Sequence, residues 1–288
     1  MRLTTLCLAA LALFASFLNA ADDRAQPPIL GILVDVGGYR VYLYCTGSGS
    51  PTVVVVGGGF SFDWGLVQPE VARFTRICTY DPSGTAWSDP APVPDCSRRV
   101  AEVDEVLRRA SISGPYMITG FSIGGLCGRL YASTYPEEVS GMVIVDHAFD
   151  PDSAGPERAG PGRARSISGA DTPPVLVSQP PISLGIEDDE NFQRLPQRNR
   201  DLHKWALSRG PARPTADTVT ECTAAVEGAT AIQPYPPGTR PLVVIGTNNG
   251  SPAYRKLQTK LLALSHESEQ MVAEQSSHRL SSMGRRRS

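Results

Sequence analysis

Tyr116-Met117-Ile118-Thr119-Gly120-Phe121-Ser122-Ile123-Gly124-Gly125 is the stretch from which the rest of this 288-residue chain can be read. Tyr116 to Thr119 is a short run of apolar and β-prone residues and predicts a strand. Ile123 to Tyr135 predicts a helix, which Pro136 stops. The chain must therefore turn within Gly120–Gly124, a pentad of the form G-x-S-x-G. So sharp a turn leaves room only for small residues beside the serine, hence glycine at 120, 124 and 125. It also holds the Ser122 hydroxyl clear of the sheet, at the positive end of a helix. The pentad alone is a weak signal. With a strand before it and a helix after it, it reads as a nucleophile rather than a helix-capping serine.

The flanking sequence continues the same alternation. Gly31 to Cys45 predicts a hairpin about Gly37-Gly38, with Val41, Leu43 and Cys45 alternating with Tyr42 and Tyr44. Thr52 to Val56 is apolar without alternation, as in a strand covered on both faces, and ends in Gly57-Gly58-Gly59. Arg76 to Tyr80 is another strand, closed by Asp81-Pro82-Ser83-Gly84. Ser97 can cap a helix whose stripe is Val100, Val103, Leu107 and Ala110. Met142 to Val145 is a strand ending at Asp146, and Pro241 to Ile245 is the next. Ser251-Pro252 then opens a helix with the stripe Tyr254, Leu257, Leu261 and Leu264, before a short strand at Gln270–Ala273. The pattern predicts an α/β fold, a mostly parallel sheet flanked by helices with the hairpin as its antiparallel edge. Residues 151–239 break the rhythm. Asp150 to Pro181 is rich in Pro, Gly, Arg and Ser, and helical patterns return around Asn191–Ser208 and Thr215–Ala229. They read as a lid inserted between two core segments, residues 21–150 and 240–288, because a long structureless loop in a compact domain is uncommon.

Composition narrows the function. With 27 basic and 29 acidic residues, the net charge of -2 gives no reason to expect nucleic acid or an anionic membrane as a partner. Met1-Arg2, the uncharged apolar run Leu6 to Leu18 and the small residues around Ala20 have the layout of a signal peptide, residues 1–20. That run is too short for a membrane span. The expectation is a secreted or periplasmic protein, cleaved after Ala20, with no stable membrane insertion. Cys45, Cys78, Cys96, Cys127 and Cys222 would remain. In an oxidising compartment some should pair, and an odd number leaves one over. Cys78 and Cys96 flank one loop and are the expected bridge, with Cys127 as the free thiol. No C-x-x-C pair suggests a metal site.

A serine hydroxyl needs a base, usually histidine. His147 directly follows Asp146, His203 lies in the insertion and His266 near a helix end. His278 follows the last strand, where the order nucleophile, acid, base puts it. For the acid, Gly246-Thr247-Asn248-Asn249-Gly250 offers no carboxylate, whereas the preceding strand ends at Asp146, with Asp150 and Asp152 as fallbacks. The expected oxyanion donors are the N–H of Ile123 and that of Gly57 or Gly58. Asp81 reads as structural, bonding its own turn. Phe60, Trp64 and Trp87 are candidates to wall an acyl or aryl pocket, or are simply core.

These residues resemble the α/β-hydrolase superfamily, in its small prokaryotic esterase-like branch. The carrying stretches are residues 51–59, Phe62-Asp63-Trp64, Tyr80-Asp81-Pro82-Ser83-Gly84, Trp87-Ser88-Asp89-Pro90, Gly114-Pro115-Tyr116, residues 120–125 and residues 131–139. The resemblance implies an eight-stranded sheet, no cofactor, and hydrolysis of a small-molecule ester or similar acyl bond through an acyl-enzyme. In several branches the acid follows strand six, as Asp146 would. Departures are Ser277 before the base, Ala86 for a usual glycine, and a short Arg-rich end. The favoured expectation is a carboxylesterase-like serine hydrolase. Two others stand beside it. One is an amidase resembling prolyl aminopeptidases, with Glu187, Asp188, Asp189 and Glu190 receiving an amino terminus. The other is a hydrolase fold kept for binding.

Overall fold

Thr52-Val53-Val54-Val55 forms a strand buried at the middle of the sheet, as its unbroken apolar run predicts. The computed structural model describes residues 26–91, 96–147, 190–209, 216–232, 240–247 and 250–274. Residues 26–30 belong to a separate unit and carry no helix or strand. The second unit holds the described residues from Gly31 onward.

Its strands are β1 (Ile32–Asp35), β2 (Arg40–Thr46), β3 (Thr52–Val55), β4 (Ile77–Asp81), β5 (Tyr116–Phe121), β6 (Val139–Val145), β7 (Leu242–Thr247) and β8 (Ser268–Ala273). They form one eight-stranded sheet in the order β1-β2-β4-β3-β5-β6-β7-β8. Strand β2 is antiparallel to both its neighbours, and the pairs from β4 onward are parallel. The hairpin turn is set locally. The Asp35 carboxylate accepts the N–H groups of Gly37 and Gly38 at 2.8 and 3.3 Å, and both glycines have positive φ.

The helices are α1 (Gln68–Val71), α2 (Cys96–Arg109), α3 (Gly124–Thr134), α4 (Glu190–Arg194), α5 (Gln197–Leu207), α6 (Ala216–Ile232) and α7 (Pro252–Leu262). Helix α2 already contains Cys96, so Ser97 is a helical residue and not its cap. Of the expected stripe, Val100, Val103 and Leu107 are buried, each contributing about 1.5–3 kcal/mol by leaving water, while Ala110 is half-buried and Val106 is buried beside them. At α7 the expected cap forms. Ser251 Oγ accepts the Tyr254 N–H at 3.2 Å, and Pro252 occupies the first turn. Leu257 and Leu261 face the core. Among the described residues no helix is long and apolar enough to cross a membrane.

The helices between β6 and β7 fall into two groups by packing. Helix α6 lies against α2 and α3, and its Cys222 and Val226 are wholly buried in the main core. Helix α5 instead covers the loops after β3 and β4, where Leu202 and Ala206 pack with Tyr42, Phe60, Phe62 and Trp87.

The disulfides correct the expected Cys78–Cys96 bridge. Cys78 pairs with Cys45, because the antiparallel register of β2 on β4 sets these two residues opposite one another. Cys96 pairs with Cys222, tying α2 to α6. Cys127 is the free thiol, as expected, and burial pushes it up to about 11. Its sulfur lies 4.0 Å from that of Cys96.

Candidate active site

Strand β5 delivers Phe121 to the carboxyl edge of the sheet, and α3 begins three residues later. Ser122 makes the turn with φ 54°, the left-handed region that a side-chain-bearing residue rarely occupies. Its N–H donates to the Val145 carbonyl at 2.9 Å, tying the elbow to the end of β6. The flanking glycines meet bare backbone. A Cβ at Gly120 would stand 2.1 Å from the Gly124 oxygen, and one at Gly124 would stand 2.7 Å from the Gly57 oxygen. Ile123 precedes the first turn of α3, so its N–H belongs to the amides that have no acceptor within the helix.

The loop after β3 lies against this elbow. Gly57, Gly58 and Gly59 all have positive φ, at 100°, 93° and 125°. A Cβ on Gly58 would meet the Phe121 carbonyl at 2.5 Å. The loop leaves β3 with Val56 N–H on the Thr119 carbonyl at 2.8 Å. At its far end two buried carboxylates hold its amides: Asp63 accepts the Phe60 N–H at 2.9 Å and Asp81 accepts the Ser61 N–H at 2.8 Å. Asp81 thus bonds a loop twenty residues away as well as its own turn at Trp87.

Burial pushes the Asp81 carboxyl up to about 7, against the bonds from Ser61 that favour its charge. The unfolded chain releases this proton near pH 4 and the folded chain near pH 7. Stability therefore falls as pH rises between those values, by on the order of 4 kcal/mol, and levels off above them. Asp81→Asn keeps an acceptor for the Ser61 N–H and cannot titrate. In urea unfolding at about pH 4.5 and about pH 7.5, its stability relative to the native chain should rise by a few kcal/mol toward the higher pH. An unchanged difference at the two values would refute this assignment.

Asp146 follows β6 with φ 44°, and its N–H donates to the Ile245 carbonyl at 2.7 Å. It is 7% exposed. Its Oδ1 accepts the Tyr254 hydroxyl at 2.6 Å, and the Tyr254 hydroxyl oxygen in turn accepts the Thr247 N–H at 3.1 Å. Burial and then the bond to Asp146 raise the Tyr254 phenol, which keeps it a donor. Ser122 and Asp146 therefore stand at the carboxyl ends of neighbouring strands, joined through Val145. His147 turns its Nδ1 to the backbone oxygen of Ser122, at 3.0 Å, and its ring lies where a Gly125 Cβ would be. It packs against the elbow through these contacts. His266 is exposed beyond α7.

The role of His203 is not legible in the local sequence. Its Nδ1 meets Asp63 Oδ1 at 2.7 Å, with both side chains buried. Of the aromatic residues expected at the pocket, Phe60 and Trp87 pack under α5, whereas Trp64 is buried with Val55, Ile77, Phe121 and Val145. Tyr254 is part of the helix stripe in the sequence, and its bond to Asp146 depends on how α7 packs. His278, Asp150, Asp152, Glu187, Asp188 and Asp189 lie outside the described residues. Among the described residues the one group of three metal-ligating side chains is Cys96, Cys127 and Cys222, and two of those sulfurs are joined to each other.

The fold that carries this serine elbow and glycine loop is shared with known proteins. The family model described as the alpha/beta hydrolase fold matches residues 51–281. The chain belongs to the α/β-hydrolase fold family. Among solved members of this fold, a thermophilic esterase from Thermogutta terrifontis superposes with a TM-score of 0.59 at 16% identity, over 87% of this chain and 92% of that one. A serine hydrolase involved in carbazole degradation superposes at 0.53 with 15% identity, over 85% of this chain and 90% of that one. At such identities the likeness is one of fold. A curated Schizosaccharomyces pombe protein, described as uncharacterized, is 32% identical over 138 residues, 37% of this chain and 26% of its own length. The α/β-hydrolase chain thus spans about a quarter of that relative.

Proposed function

We propose that this α/β-hydrolase is an exported serine hydrolase that cleaves carboxylic esters of small molecules through an acyl-enzyme. The observation that carries the reading is the backbone of Ser122, held at φ 54° at the end of β5 by contacts that tolerate only glycine around it. Strain of this kind persists where the surrounding structure enforces it, and it projects the hydroxyl toward the solvent side of the sheet edge. In the proposed mechanism Ser122 attacks the ester carbonyl. His278 takes its proton and passes it to the leaving alcohol, and Asp146 orients the imidazole and stabilises its charge. The N–H groups of Ile123 and of Gly57 or Gly58 receive the oxyanion. Water then releases the acid by the same route. The Tyr254 hydroxyl on Asp146 Oδ1 supports this assignment, since it fixes the carboxylate beside the elbow. The lid is proposed for residues 151–239, with α5 as its described inner surface.

Export is proposed from the signal-like residues 1–20, and the two disulfides support it, because such bonds persist in oxidising compartments. The test is labelling of the purified protein with a fluorophosphonate. The native chain should take up the probe at Ser122, as located by peptide mass, and Ser122→Ala should not. Equal labelling of the two proteins would end the proposal. Parallel assays with aryl esters and proline anilides then separate an esterase from an amidase.

A further inference from the structure

We propose that His203, acting through Asp63, is a positioning residue for the glycine loop, so that helix α5 of the insertion sets the geometry of the oxyanion site. This rests on the reading of that loop as the oxyanion site. Three consecutive glycines at positive φ have almost no conformational preference of their own, so the loop takes its shape from its two ends. The first end is built into the sheet through Val56 and Thr119. The second is built from side chains. Asp63 closes on Phe60, the residue after the glycines, by donating its N–H to the Phe60 carbonyl at 3.0 Å and accepting the Phe60 N–H on Oδ2 at 2.9 Å. The same oxygen lies 2.7 Å from the place a Gly59 Cβ would occupy, so carboxylate and glycine are in contact.

Only one oxygen of Asp63 is used in this way. The other faces His203 Nδ1 at 2.7 Å, across 140 residues of sequence. The pair is 4% and 5% exposed at its side chains. An oxygen so buried needs a donor of that kind to be satisfied, and the bond keeps the carboxyl group in one orientation. The rings of Phe60 and Phe192 meet the imidazole edge-on, at 5.5 and 5.2 Å, and leave it little freedom to turn. A second tie fixes α5 at the same place, with Asn199 Nδ2 donating to the Phe62 carbonyl at 2.7 Å. Any movement of α5 that withdraws His203 therefore releases the carboxylate that holds Phe60, and with it the end of the glycine loop.

The test compares His203→Asn with His203→Gln in the full chain. Asparagine can place its amide nitrogen where Nδ1 stands, and glutamine reaches instead toward the position of Nε2. Both are polar and similar in folding risk. With p-nitrophenyl acetate, His203→Asn should keep kcat within about threefold of native. His203→Gln should lose about 10²-fold in kcat, the scale of one oxyanion donor, with KM changed much less. Amide exchange reads the same loop without chemistry: the Phe60 and Ser61 N–H groups should exchange at least about tenfold faster in His203→Gln than in the native chain and stay protected in His203→Asn. Equal kcat and equal exchange in the two variants would overturn the proposal, as would a loss confined to KM. If fluorophosphonate never labels Ser122 but the exchange difference appears, the hydrolase reading fails and the positioning of the loop stands.

Discussion

Ser122→Ala should lower kcat toward an aryl ester by about 10⁴-fold or more while leaving the fold intact. The reason is that the residue does two separable things. Its hydroxyl is the proposed nucleophile, and its backbone bears a φ of 54° at a cost that alanine shares and glycine does not. Ser122→Gly should therefore be equally inactive yet more stable than Ser122→Ala, by about 1 kcal/mol, or about 3 °C in Tm for a chain of this size. Kinetics of the two variants beside their thermal unfolding measures both effects. Retained activity in either variant would remove Ser122 from the chemistry. A glycine variant less stable than the alanine variant would show that the elbow carries no strain.

Gly120→Ala is the substitution with the largest expected effect on folding. The new Cβ would stand 2.1 Å from the Gly124 oxygen and 2.4 Å from its carbonyl carbon, both backbone atoms in the first turn of α3. Neither can swing aside as a side-chain tip can, so either α3 is lifted from the sheet or the elbow opens. A destabilisation on the order of 4 kcal/mol is expected, with loss of most soluble protein. Gly228→Ala in α6 is the control. Among the described residues no atom beyond its own stretch of helix lies within 4 Å of its added Cβ, and a helix interior favours alanine over glycine by up to about 1 kcal/mol. Urea midpoints should thus move in opposite directions. A Gly120→Ala protein of native stability would show that the close approach of β5 to α3 is not required.

Much of the frame could be read from local pattern. The unbroken run at Thr52–Val55, the pentad at Gly120–Gly124 and the Ser251-Pro252 helix start are each written within a few consecutive residues, and each forms where expected. Asp146 at the end of β6 follows from the same strand reading. Local pattern does not suffice where a partner is distant in sequence. The Cys45–Cys78 disulfide depends on how β2 is registered on β4, which no spacing of cysteines encodes. Trp64 and Trp87 look alike on adjacent loops, and only the packing of α5 separates the one beneath it from the one among the sheet residues.

By itself the sequence determined the order of strands and helices, the elbow at Ser122 and the place of its glycines. Those features are set by backbone sterics and by apolar periodicity, which act between near neighbours. Tertiary structure alone decided which cysteines join, that Tyr254 meets Asp146, and that His203 from the insertion balances Asp63 beneath the glycine loop. These are choices made when charged or polar groups leave water together. A buried carboxylate must find a donor, and which donor reaches it depends on how elements far apart in the chain come to lie against one another.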